Sequence, residues 1–322
     1  TLGSMAQLPG WKLNTGAPGC GVPNMMNRLI EANGIFLGDM VGIGMMLEPL
    51  GLAAGPVVPT REWRELYAAL DCAVVAAIHP FYTASIREFE AAGRSIVGSG
   101  PVGVEGTVAW LSAIGEACGV AKPLVEAAQN RLVPAIRGAL SAMPITGRIT
   151  LSGYEGSELL VARLLVESGA DLRYVGTACP RTPWSEPDRE WLAARGVMVN
   201  FRATLEQDLA AMAEFQPDLA IGTTPVVQKA KQLGIPALYF TNLISARPLM
   251  GPAGAGSLAA VINAAIANKH RFDTMAEFFG DAGQGDKAGV WTDTPQARPE
   301  FRADFKRQVI KLHAKRKAEA MI

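Results

Sequence analysis

Residues 151–158, LSGYEGSE, run from an apolar stretch into a turn with glycines at 153 and 156, and then into a helical pattern. Glycine-rich turns between a strand and a helix hold phosphates because backbone N–H groups and the helix dipole aim at the anion. Glu155 stands in the middle of this turn and repels one, and neither G-x-G-x-x-G nor G-x-x-x-x-G-K-[ST] is present. Ser157 followed by Glu158 reads instead as a helix N-cap and a first-turn acid, a combination that stabilises a helix start by about 0.5–2 kcal/mol.

The sulfur and imidazole donors are few. Cys20, Cys72, Cys118 and Cys179 show neither a C-x-x-C pair nor a ferredoxin-like spacing. Cys72 opens an apolar run and Cys118 closes a helical one, positions typical of small core residues. Cys179, in GTACPRTPW, lies on a loop after a strand and is the cysteine best placed to meet a ligand. His79 ends the run CAVVAAIHP, where it either faces a ligand or caps a neighbouring helix. By chemical type alone, His79 and Cys179 are the candidate catalytic side chains.

The segment FTNLISARPLMGPAGAGS, residues 240–257, places Leu243, Ile244, Leu249 and Met250 where a loop is ordinarily polar. Such groups call for a cover: a flat hydrophobic ligand, a partner subunit or another domain of the chain. Arg247 among them suits a carboxylate at a ligand's edge. IGTTPVVQKAKQLGIPALYF, residues 221–240, resembles in isolation the Gly-Thr turn that faces a diphosphate in two-domain sugar-nucleotide transferases. It fits any βαβ unit equally well, with a threonine cap, Pro225 in the first turn and Gly234 at the helix end.

These residues are positioned by short apolar runs alternating with longer amphipathic ones, the pattern of an α/β chain with doubly wound parallel sheets. In a first Rossmann-like domain, residues 34–145, strands are expected at 34–38, 54–59, 72–78 and 94–99. Helices are expected at 41–51, 61–70, 83–93 and 105–119, and from Lys122 to about Ala142 with a kink or break at Pro134. In a second, residues 146–290, strands are expected at 148–152, 172–177, 197–201, 219–223 and 237–241, with helices starting near Ser157, Ser185, Thr204, Val226 and Ser257. Residues 1–33 read as a leader or the remnant of a missing N-terminal domain. Residues 291–322 read as a basic helical tail with Phe301, Phe305, Val309 and Leu312 on one face. Ligands of such sheets bind at the carboxyl ends of the strands, which directs attention to the loops there.

The 322 residues suffice for two cores, and a composition 49% hydrophobic and 7% aromatic fits a folded α/β chain. Lys plus Arg and Asp plus Glu stand at 30 each, so no global field favours nucleic acid or an anionic membrane. No apolar run approaches the roughly 18 residues of a membrane span, and a cytoplasmic location is expected.

Three long runs, residues 51–94, 149–184 and 217–259, closely resemble the nitrogenase-like chlorophyllide a reductases of bacteriochlorophyll synthesis, in particular their Y subunits. The resemblance covers residues 34–322. It implies tandem Rossmann-like domains and a heterotetramer with a Z subunit, which receives electrons from an ATP-driven iron–sulfur donor, the X subunit, and reduces the C7=C8 bond of ring B of chlorophyllide a. It also implies a [4Fe-4S] cluster at the interface with the partner, with cysteine ligands expected in the missing N-terminal region and no metal ligand in this chain. ATP is then handled by the donor, so strand-end turns here need not hold phosphate. On this reading Leu243, Ile244, Arg247, Pro248, Leu249 and Met250 are expected to form the chlorin pocket, with Tyr154, Cys179 and Trp184 at its rim. The competing readings are a two-domain sugar-nucleotide transferase or epimerase and a non-catalytic scaffold subunit.

Overall fold

The structure, a computed structural model, describes residues 24–29, 37–58, 62, 64, 67, 68, 71–78 and 83–279. Two parallel sheets carry it. The first has the order β2-β1-β3-β4, from β1 (Asn24–Leu29), β2 (Leu52–Val58), β3 (Val74–Ala77) and β4 (Ser95–Gly98). Its helices are α1 (Leu37–Leu47), α2 (Thr83–Ala91), α3 (Gly103–Ala117) and α4 (Lys122–Ala142). The second sheet has the order β7-β6-β5-β8-β9, from β5 (Arg148–Gly153), β6 (Asp171–Thr177), β7 (Met198–Phe201), β8 (Leu219–Gly222) and β9 (Ala237–Tyr239). Its crossovers are α5 (Glu158–Glu167), α6 (Glu186–Ala193), α7 (Leu205–Phe215) and α8 (Thr224–Gln232). The strands of this sheet lie within a residue or two of the positions expected from the apolar runs. The C-terminal part adds α9 (Phe240–Ser245), α10 (Gly251–Ala255), α11 (Ala259–Ala267) and α12 (Lys269–Phe279).

Two expectations for the first half are corrected. Residues 24–29 are not a leader: they form the strand that pairs with both β2 and β3 and so sits inside the first sheet. The expected strand at 34–38 is also displaced, because Leu37 and Gly38 already belong to α1. The reason is compositional. NMMNRL hides its strand behind two asparagines and an arginine, whereas GIFLG looks like one. Most of the helix expected at 61–70, and the tail expected at 291–322, lie outside the described residues.

α4 runs through Pro134 without the expected break. Pro134 is on the solvent face. The carbonyl one turn earlier, which proline leaves without its helical donor, can there be hydrated. α7 has a full capping box: the Thr204 hydroxyl accepts from the Gln207 N–H while the Gln207 side chain accepts from the Thr204 N–H.

The apolar core is continuous across both halves. Val74, Ala76 and Val97 of the first sheet belong to the same buried cluster as Ile149, Leu151 and Ile221 of the second. The chain also returns after completing the second sheet, because α10 packs on α1, α3 and α4. The Gly251 N–H donates to the Pro101 carbonyl at 2.8 Å. Gly251 (φ +60°) faces the Met46 sulfur at 2.8 Å from where a Cβ would stand, and a Cβ on Gly254 would strike the main chain of Leu249. Both glycines permit an approach that no other residue allows.

Candidate functional site

β5 and β8 flank the topological switch point of the second sheet, where a doubly wound fold ordinarily binds its ligand. Here the chain fills that place itself. The Glu158 carboxylate turns back into the turn before its own helix and accepts from the N–H groups of Glu155 (2.8 Å) and Gly156 (3.0 and 3.1 Å) and from the Thr177 hydroxyl (2.8 Å). It is fully buried. Burial pushes its carboxyl above the ordinary glutamate range, against the pull of Thr177 and the backbone donors. A Cβ on Gly153 would meet Glu158 Oε1 at 2.5 Å and the Phe240 ring at 2.7 Å, so the glycine makes room for this internal anion. Phosphate repulsion thus rests chiefly on Glu158, which occupies the donors a phosphate would use. Glu155 is turned aside, accepting from the Thr241 hydroxyl at 2.8 Å. Ser157 occupies the N-cap position as expected, but its hydroxyl makes no capping bond.

A cleft runs between the two halves at the carboxyl ends of β3, β5, β6 and β7. Ala77, Ile78, Ser99, Gly156, Cys179, Trp184, Asp188 and Phe201 are among its walls. It is nearly shut, with about 20 Å³ of open volume, room for one water. Polar ties close it. Asp188 Oδ1 accepts from Arg163 Nη1 at 2.5 Å and from the Ser99 hydroxyl at 2.8 Å, and Arg163 and Asp188 are both buried. Around a separate, wider cavity of about 620 Å³ between the halves, the Val104 N–H donates to Glu167 at 2.5 Å, and Glu105 accepts from Trp191 Nε1 at 2.8 Å and Arg195 Nη2 at 2.9 Å. Arg195 stacks on one side of the Trp191 ring at 3.6 Å, and Arg163 also lies over that ring at 4.7 Å.

The residues singled out in the sequence fall into three groups. Leu243, Ile244, Leu249 and Met250 are all within 2% of complete burial, covered by this chain's own core. The apolar loop expected to wait for a pigment is therefore an internal plug: α9 seals the end of the second sheet, and Leu249 and Met250 enter the junction with the first half. Arg247 and Pro248 are half-buried. Trp184, Cys179 and Tyr154 do gather at the strand ends, though not as one rim. Trp184 packs into the small cluster of Val75, Ala77, Ile86 and Phe89, and its main chain lies against Gly98, where a Cβ would meet the Trp184 carbonyl at 2.5 Å. Cys179 is a buried wall of the cleft. Tyr154, 54% exposed, stands outside. His79 lies outside the described residues.

Burial, aided by the nearby Glu158, pushes the Cys179 thiol up to about 12, far from the near-neutral value of an efficient proton donor. Burial likewise lifts Cys72 to about 12 and Cys118 to about 11. A [4Fe-4S] cluster needs converging thiolates. The three described cysteines stay protonated on separate elements, and among the described residues no three Cys, His, Asp or Glu groups come together. They do not fit the cluster.

Arg202, which sequence reasoning passed over, has a left-handed backbone (φ +51°). Its N–H donates to the Cys179 carbonyl at 3.1 Å and the next N–H, of Ala203, to the Thr177 carbonyl at 3.0 Å, so both ends of the bend are pinned to the exit of β6. The bend is not legible in the sequence, since arginine carries no left-handed signal.

The family model of nitrogenase component 1 type oxidoreductases matches residues 12–267. The chain belongs to this family. A nitrogenase structure described as Cp1 at pH 6.5 matches at a TM-score of 0.58 over 80% of this chain and 63% of the other, at 18% identity, so it supports the component 1 fold alone. The "Chlorophyllide reductase 52.5 kDa chain" of Cereibacter sphaeroides is 69% identical over 288 residues, 89% of this chain and 57% of the relative. Its namesake in Rhodobacter capsulatus is 65% identical over 288 residues, 89% of this chain and 58% of the relative. A protochlorophyllide reductase subunit N from Synechococcus is 26% identical over 219 residues, 66% of this chain and 53% of the relative. The chain therefore spans a little under three-fifths of the chlorophyllide reductase chains it matches. Membership in the component 1 family leaves the sugar-nucleotide transferase reading without support. Among the described residues no helix is long and apolar enough to cross a membrane.

Proposed function

We propose that this chain acts as the Y subunit in the catalytic component of a chlorophyllide a reductase, working in the cytoplasm. That component, a heterotetramer with the Z subunit, reduces the C7=C8 bond of ring B with two electrons and two protons. The electrons come from an ATP-dependent iron–sulfur donor, the X subunit; a [4Fe-4S] cluster shared with the partner would supply one-electron transfer, with its ligands outside the described residues of this chain. The observation that carries this reading is the 69% identity over 288 residues with a chlorophyllide reductase chain. The switch point filled by Glu158 agrees with it, since ATP is used by the donor protein and not here.

The chain's own contribution is a wall. A flat macrocycle needs several hundred Å³ of largely apolar space, and the cleft at the strand ends offers about 20 Å³. The pigment is accordingly taken to lie across the mouth of the cleft and to be completed by the partner, with Tyr154 exposed beside it and Trp184 at its edge. The buried plug of Leu243, Ile244, Leu249 and Met250 supports that wall from behind. Excluding water there protects the reduced chlorin from competing proton and oxygen chemistry.

The test is reconstitution. Full-length protein, assembled with its Z partner and supplied with the donor protein, ATP and dithionite, is expected to convert chlorophyllide a from a chlorin to a bacteriochlorin spectrum. An intact assembly that neither binds nor converts the pigment overturns the reading.

A further inference from the structure

Resting on the pigment reading above, we infer that Arg202 is the group that recognises the carboxylate of the substrate. Chlorophyllide differs from its phytyl ester in carrying a free propionate, so a protein acting on the acid needs a cation where that arm ends. Two arginines stand at the carboxyl edge of the second sheet with no ion pair or hydrogen bond from the side chain among the described residues: Arg202 after β7 and Arg247 after α9. Arg202 follows the edge strand β7, whereas Arg247 follows α9, which packs on β5 and β9.

Three observations select Arg202. It directly follows Phe201, a wall of the cleft, and its N–H is bonded to Cys179, another wall. It is exposed, whereas Arg247 is half-buried in the plug. It also occupies a left-handed backbone that two hydrogen bonds impose, a place where glycine is the less strained residue. Among the described residues nothing uses the side chain held there at that cost, which points to a use beyond them. A guanidinium is suited to it, because two parallel N–H groups meet a carboxylate in a fixed fork.

The experiment measures uptake of chlorophyllide a and of its methyl ester by the full-length assembly with the Z partner, in wild type, Arg202→Gly, Arg202→Lys and Arg247→Ala. Wild type and Arg247→Ala are expected to hold the acid more tightly than the ester by roughly ten- to a hundredfold. Arg202→Gly should bring the acid down to the ester's level while the melting temperature stays level or rises. Arg202→Lys should keep part of the preference. If Arg202→Gly keeps the wild-type ratio of acid to ester, or if Arg247→Ala abolishes it, the assignment to Arg202 is overturned and the pigment reading stands. If wild type takes up neither pigment, both are overturned.

Discussion

Two buried acids show how much depends on single side chains. The Tyr174 hydroxyl donates to Asp208 Oδ1 at 2.9 Å, and a Cβ on Gly176 would collide with that oxygen. Burial pushes the Asp208 carboxyl up to about 6, with the Tyr174 bond opposing. A pKa raised on folding means that the folded state holds the proton more firmly. The resulting stability is complete below the ordinary aspartate range near 4 and is lost as pH rises to about 6. The loss is at most on the order of 3 kcal/mol. Asp208→Asn keeps the acceptor and removes the titration. Its urea midpoint at pH 7 is expected to equal or exceed that of wild type, and the wild-type advantage should reappear at pH 4. Glu158 is a second buried acceptor, with more donors depending on it. Glu158→Ala strands two backbone donors and the Thr177 hydroxyl, a loss of about 2–5 kcal/mol, while Glu158→Gln should cost less. Urea titration of both variants checks this, and a stable Glu158→Ala protein would refute the role given to the carboxylate. The glycines and the absence of a nucleotide motif were visible in the sequence. That the acid two residues past Gly156 would turn back into the loop was not, because the pattern of an N-cap followed by a first-turn acid describes an ordinary helix start just as well.

At the scale of elements, legibility followed periodicity. The second sheet could be read strand by strand because RITLS, LRYVGT and LAIGT are apolar runs closed by turn residues. β1 could not, since its neighbours in the first sheet rather than its own composition make it a strand. The loop at 240–257 was legible as apolar, but its cover was not, because burial by a distant part of the same chain leaves the same local signature as burial by a ligand or a partner. Two helices yield opposite predictions from small changes. In α4, Pro134→Ala restores a backbone hydrogen bond on the solvent face and should raise stability by about 1–2 kcal/mol. In α10, Gly254→Ala drives a methyl into the Leu249 main chain, which cannot move aside as a side chain would, and should lower stability by about 1–3 kcal/mol. Melting temperatures of the two variants measured side by side should move in opposite directions.

Across the whole molecule, the shared core and the ties around Arg163, Asp188 and Glu105 join the two sheets more firmly than a tandem of independent domains. A single endotherm is expected in calorimetry, with Leu249→Ala lowering it as a whole instead of splitting it. Two transitions in the wild-type trace would show that the junction is weaker than its burial suggests. The return of α10 to the first half bears on anyone wishing to recombine such proteins. A chimera cut at the evident linker, residues 143–147, inherits its first sheet from one parent and the five-residue piece that completes that sheet's packing from the other. Gene fusions between relatives should therefore carry residues 249–256 along with the N-terminal half, or else the seam will fall through the middle of a jointly built interior.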